Sequence, residues 1–342
     1  MNNNHNKNIS DKNLGIQVLR TILCLWVVFF HCLNIKYAYK KKYAFIFTKF
    51  YHVPCFTFIS FYFNANIFIQ KNCKKIIIRL QRLLIPYFIY PISIWIINNL
   101  IFFIFRNNRF HRMITLYELY LQILLGYQFF IVLWFSFCTI IISIFFVIIS
   151  FLLKNSYSYI FIMLGILNIF AQYLKIDNYF LNYKTKIQTP LNNTFSQIPL
   201  AVCGYFFSLL KPKQIIQNNK KSIFISFITL LLVSLIFNFD VFTRMRTFNG
   251  IENILVSFLL FIGFYLLPLK DINKKIKIIL GIITSYTQGI YCLHTIVRDY
   301  TFIALNKQKS ILGVIFIYLL SYMISFLGMK LLGKKKLKYL FV

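Results

Sequence analysis

The sequence predicts an all-α fold, a polytopic integral membrane protein with about ten transmembrane helices. Three observations predict it. Of the 342 residues, 59% are hydrophobic and 20% aromatic, well above the roughly 45–50% apolar share of a soluble domain. The apolar residues come in blocks near the roughly 20 residues that cross about 30 Å of hydrocarbon at about 1.5 Å per residue. Short Lys- and Asn-rich segments separate those blocks and carry the basic charge, 38 Lys and Arg against 7 Asp and Glu, for a net +31. On a soluble chain such a balance would point to nucleic acid. Here the charge is scattered between apolar blocks, as a positive-inside topology requires, so no nucleic-acid partner is expected.

Residues 1–13 are polar and Asn-rich and are expected to be a disordered cytoplasmic segment. The block from Leu14 to Leu33 has a basic flank but no small-residue cleavage site, and further spans follow it, so it reads as a retained first helix and not a signal peptide. Later spans are predicted at 50–69, 84–105, 131–153, 157–174, 195–210, 222–239, 251–269, 278–297 and 310–331. The stretch TLYELYLQILLGY (115–127) reads as a short interfacial helix leading into the fourth span. The membrane domain therefore covers 14–332, with a basic tail at 333–342. An even number of spans puts both termini on one side, and the larger share of Lys and Arg then falls on that side, which favours cytoplasmic termini. The tail residues Lys334, Lys335, Lys336 and Lys338 support that orientation; Lys36, Lys40, Lys41, Lys42 and Lys49 run against it. No internal repeat is visible, so the inverted-repeat plan of many transporters has no support. The seven cysteines, mostly inside apolar blocks and without a C-x-x-C pair, read as small hydrophobes and not as a disulfide framework or zinc site.

Ionisable groups in hydrocarbon are functional suspects because each costs several kcal/mol. The first helix carries two, Arg20 and His31, eleven residues apart. Eleven steps of about 100° make three turns and about 20°, so both share one face, about 16 Å apart along the axis. Read alone, His31 could equally be a packing histidine and Arg20 a snorkelling flank. Arg79 and Arg82, three apart, are expected on one face at the cytoplasmic edge, where an Arg fork suits phosphate oxygens or simply anchors the helix. Tyr291 and His294 are also three apart, and Trp134 opens a span, as an interfacial belt residue or a substrate platform. His5, His52, His111, Arg298 and Asp299 receive no role. Without His-x-x-x-His or a carboxylate cluster, no metal is expected.

Six stretches together resemble the acyltransferase 3 family of integral membrane O-acyltransferases. GIQVLRTILCLWVVFFH (15–31) resembles its opening helix, with Arg, ten residues, then His. VPCFTFISFYF (53–63) is similar to its second helix, except that Phe61 follows Ser60 where the family has glycine. RLQRLLIPY (79–87), LWF (133–135), QIPLAVCGYFFS (197–208) and GIYCLH (289–294) resemble later helices in the family's order. The resemblance spans nearly the whole chain. It implies about ten spans and acyl transfer, commonly of acetyl, from a cytoplasmic acyl-CoA donor to a hydroxyl of a cell-surface glycan or lipid-linked sugar. It further implies a bacterial plasma-membrane location. In that reading His31 is base or acyl carrier, Arg20 orients the donor, Arg79 and Arg82 hold CoA phosphates, and Trp134, Tyr291 and His294 line the substrate cavity. Some relatives add an esterase-like domain after the last helix. This chain stops at Val342, so transfer is expected to finish in the membrane domain or on a separate partner. A flippase of lipid-linked sugar is the alternative that composition allows, but it would not need Arg20 and His31 on one face.

Overall fold

A computed structural model describes residues 14–32, 52–105, 113–125, 133–153, 157–173, 188–209, 251–266, 273–304 and 311–332. Among these the chain is entirely helical: α1 (Leu14–Cys32), α2 (His52–Ile69), α3 (Cys73–Phe105), α4 (Leu116–Leu125), α5 (Trp134–Leu152), α6 (Tyr157–Tyr173), α7 (Gln188–Leu209), α8 (Ile251–Leu266), α9 (Lys274–Ser285), α10 (Thr287–Ala304) and α11 (Ile311–Leu332). Four of them, α1, α3, α5 and α11, are long and apolar enough to cross a bilayer, and the bent pair α9–α10 makes a fifth if taken as one span. The apolar segments of α2, α7 and α8 are shorter. The span predicted at 222–239, the N-terminal segment, the loop with Lys36 to Lys49 and the basic tail lie outside the described residues. Large apolar side chains point outward, with Phe103 75% and Leu312 78% exposed. Such a surface belongs in lipid, and the chain is a membrane protein.

Two predicted spans change. The one placed at 84–105 begins at Cys73, so the basic entry is part of a 33-residue helix, about 50 Å long and longer than the hydrocarbon it crosses. The one placed at 278–297 is two helices meeting at Tyr286 with a 50° bend. The polar residues around the break include Thr284, Thr287 and Gln288, whose side chains bond neighbouring helices.

The turn from α2 to α3 closes with two backbone bonds, Asn72 N–H to Ile67 O and Lys71 N–H to Phe68 O. This six-to-one and five-to-two pattern is a Schellman ending, and Lys71 takes its left-handed position with φ 49°. Asn72 then caps α3 by accepting from Lys75 N–H. The expected interfacial helix is α4, started by a reciprocal box in which Thr115 and Glu118 bond each other's backbone N–H. It folds back along α3. Asn99 pairs through both amide atoms with the backbone of Ile114 at 2.9 Å. Tyr87 donates to the last-turn carbonyls of Gln122 and Ile123.

The α2–α7 crossing is close: a Cβ at Gly204 would stand 2.3 Å from the Phe58 carbonyl oxygen. Only glycine lets the two backbones meet so closely. Around it Phe61, Phe68, Phe146, Ala201 and Tyr205 form one buried cluster joining α2, α5 and α7.

Candidate active site between the first and tenth helices

The face of α1 that carries Arg20 and His31 is turned to α9 and α10. Thr284 donates to Gln17 Oε1 at 3.1 Å, Arg20 Nη2 donates to Thr287 Oγ1 at 3.1 Å, and Arg298 Nη1 donates to the His31 carbonyl at 3.1 Å. In all three pairs the partners lie 267 residues apart. A constant offset means that the two segments run parallel and in step. The Cys24 thiol adds a contact to the Thr287 carbonyl at 3.4 Å. Spacing puts Arg20 and His31 on one face; packing shows that the face is half-buried against the polar groups of α9 and α10.

His31 and His294 meet across this seam with ring centroids 5.2 Å apart and planes tilted by 40°. His294 is 0% exposed. Its Nδ1 lies 2.7 Å from the Tyr291 carbonyl and 3.2 Å from that of Ile290. The Tyr291 ring sits 6.1 Å from His294 and 5.9 Å from Phe135 of α5, so the three predicted residues His31, Tyr291 and His294 share one locality. Trp134 directly precedes Phe135 at the start of α5. It packs in a small cluster with Val53 and Cys138, and its neighbour Phe135 takes the place beside Tyr291.

The predicted pairing of Arg79 with Arg82 on one outer face needs correction, because the structure divides the two. Arg79 is 7% exposed and turns inward, donating to Ser60 of α2 at 3.3 Å and Ser143 of α5 at 3.1 Å. Its guanidinium lies 5.1 Å from the Phe61 ring centre and 5.5 Å from that of Phe68, within cation–π range. Phe61, the residue in the glycine position, thus helps to accommodate a buried cation. Arg82 is exposed. Steps of about 100° leave residues three apart offset by about 60°, enough for one to face the bundle and the other its edge. The Arg82 carbonyl has no helical donor, because residue 86 is proline and lacks N–H. Gln288 of α10 fills that role, donating to it at 3.2 Å.

Thr287 and Gln288 thereby connect the start of α10 to α1 and α3 at adjacent positions. Sequence reasoning missed them, as it missed Phe135 and Arg298. The orphan carbonyl below Pro86 signalled a missing donor, and the four-residue step from His294 to Arg298 signalled a shared helix face. The first-turn N–H groups of α10 and the Arg20 guanidinium lie together at the α9–α10 bend, an environment that favours an anion.

These helices, with a cation and two imidazoles turned inward, define a polytopic membrane protein with a polar centre inside its apolar bundle. A family model described as an acyltransferase domain, the acyltransferase 3 family, matches residues 13–330. The chain belongs to that family, and it is an acyltransferase of the membrane class. No curated protein and no solved structure matches it.

Proposed function

We propose that the protein is a membrane-embedded O-acyltransferase that moves an acyl group, acetyl in the first instance, from acyl-CoA to a hydroxyl of a cell-surface glycan or lipid-linked sugar precursor. The observation that carries the reading is the facing of Arg20 and His31 onto α10, with His31 5.2 Å from a second imidazole. A neutral imidazole in a dry site accepts a proton from an attacking hydroxyl. The new ester C–O bond forms as the thioester C–S bond breaks, and the thiolate leaving group takes back the proton from His31 to give free CoA. Arg20, at the α9–α10 bend, orients the phosphate end of the donor together with the first turn of α10. Arg82, exposed nearby, is the second phosphate partner; Arg79, caged by hydroxyls and rings, holds α2, α3 and α5 together. Tyr291 and Phe135 wall the transfer point. About ten spans with both termini cytoplasmic, in a bacterial plasma membrane, complete the proposal.

The test incubates membranes with radiolabelled acetyl-CoA and compares wild type with His31→Ala. Label should pass into the glycan fraction of the wild type and fall by roughly 100-fold or more in the variant, the scale of general-base catalysis. Equal transfer would overturn the role of His31. Deleting the protein should remove an O-acyl ester and leave glycan length intact; shortened glycan would instead indicate a flippase.

A further inference from the structure

We infer that His294 orients His31 and shares the proton that His31 takes up, so that the two imidazoles act as one dyad. The inference rests on the acyl-transfer reading above and adds a residue role to it.

Carbonyl oxygens only accept hydrogen bonds, so the contacts from Nδ1 of His294 to the Ile290 and Tyr291 carbonyls require that Nδ1 carry the hydrogen. A neutral imidazole has one N–H, which leaves Nε2 as a bare acceptor. That Nε2 is fully buried and has no partner among the described residues. Buried polar atoms without partners are rare in folded proteins, and one that persists calls for an explanation. Here the ring of His31 stands 5.2 Å away between centroids. The backbone around His31 is fixed too: Arg298, one helical turn beyond His294, holds the His31 carbonyl and is itself paired with Asp299 at 2.6 Å. The Phe30 ring stands edge-on to His31 at 5.2 Å. A turn of the His31 ring brings one N–H toward Nε2 of His294, a contact of the kind that tightens when substrate binds.

In that arrangement the two nitrogens of His31 take different parts. The nitrogen facing His294 carries the hydrogen, and the other keeps its lone pair for the acceptor hydroxyl. When the hydroxyl proton arrives there, His31 is doubly protonated, and the hydrogen facing His294 shifts toward Nε2. The charge is then spread over two rings in hydrocarbon. When the departing thiolate takes the proton, both rings return to their starting tautomers, and no further reactant is consumed.

The experiment uses the full-length protein in membranes with radiolabelled acetyl-CoA and compares His294→Phe, His294→Gln and His31→Ala. Phe keeps a ring of similar size without an acceptor, whereas Gln presents an amide oxygen near the Nε2 position. His294→Phe should lower kcat roughly 10- to 100-fold, as loss of an orienting partner does, with KM for acetyl-CoA unchanged. His294→Gln should recover part of that loss. Wild-type kcat in His294→Phe, or Phe and Gln variants equally slow, overturns the dyad. An active His31→Ala would sink the underlying role of His31; an inactive His31→Ala beside a fully active His294→Phe sinks only the dyad. Should neither His294 variant accumulate, nitrogen-15 spectra of the wild type, which has five histidines, decide the question. A bare Nε2 at His294 supports the dyad, and Nε2–H overturns it.

Discussion

Replacing Gln288 with Leu tests how α3 is tied to α10. Pro86 removes the backbone donor that would have served the Arg82 carbonyl, and Gln288 Nε2 restores it at 3.2 Å. Leu keeps the bulk and deletes the donor. A net hydrogen bond contributes about 0.5–1.5 kcal/mol, and this one is exposed, so the loss belongs at the lower end, about 0.5–1 kcal/mol. Pro86→Ala supplies the control, because an alanine N–H at 86 bonds the Arg82 carbonyl within α3 and makes the Gln288 bond redundant. In that background Gln288→Leu should cost almost nothing, giving a coupling of about 0.5–1 kcal/mol in the double-mutant cycle. Unfolding free energies of the four proteins in mixed micelles would measure it. An equal cost of Gln288→Leu in both backgrounds would refute the idea that proline creates the need for glutamine.

Gly204→Ala should destabilise by about 1–3 kcal/mol or more, because its methyl would stand 2.3 Å from the Phe58 carbonyl oxygen, which cannot rotate away. Gly165→Ala meets only the Val202 side chain, at 2.9 Å, and should cost less; thermal unfolding in detergent that ranks the two the other way would contradict the crossing geometry. Lys71→Gly should stabilise by up to about 1 kcal/mol, since Lys71 holds the left-handed position of the Schellman ending. A lowered melting temperature would show that the lysine side chain matters more than its backbone.

Helix existence was legible because apolar blocks of bilayer length have one stable reading in lipid, and the eleven-residue step from Arg20 to His31 transfers directly into geometry through the helical period. The fate of Arg79 and Arg82 was not, because a three-residue step tells that two side chains are neighbours and not which of them points inward. That depended on Ser60, Ser143, Phe61 and Phe68, three of them on α2 and one on α5, whose convergence only packing reveals. The choice between Trp134 and Phe135 was equally closed to sequence, since adjacent helical residues point about 100° apart and either could face Tyr291. The break at Tyr286 hid because neither glycine nor proline marks it. Its cause is tertiary: Thr284 and Thr287, on either side of the break, are each bonded to α1.

The seam between α1 and α10 also bears on how the protein sits in its membrane. The two run parallel, and α11 returns antiparallel, since Tyr286 packs against Tyr322 and Phe326. The start of α1 and the end of α11 therefore lie at one end of the bundle, whatever crosses in between. Arg82 meets Gln288 at that same end, so Lys71 just before α3, Lys74 and Lys75 in its first turn, Lys275 and Lys277 in α9 and Lys330 in α11 gather there. Among the described residues, the cation at the opposite end is Arg298, and it is paired with Asp299. That basic end is the one at which the proposed cytoplasmic termini would lie. It also gives the proposed reaction a direction. Arg20 lies about 10 Å into α1 from the basic end, and His31 about 16 Å beyond it, near the far end. In the proposed reaction, a donor whose phosphates stay with Arg20 and Arg82 would extend its thioester along this seam to the imidazoles, and the acceptor hydroxyl would meet it near the far end.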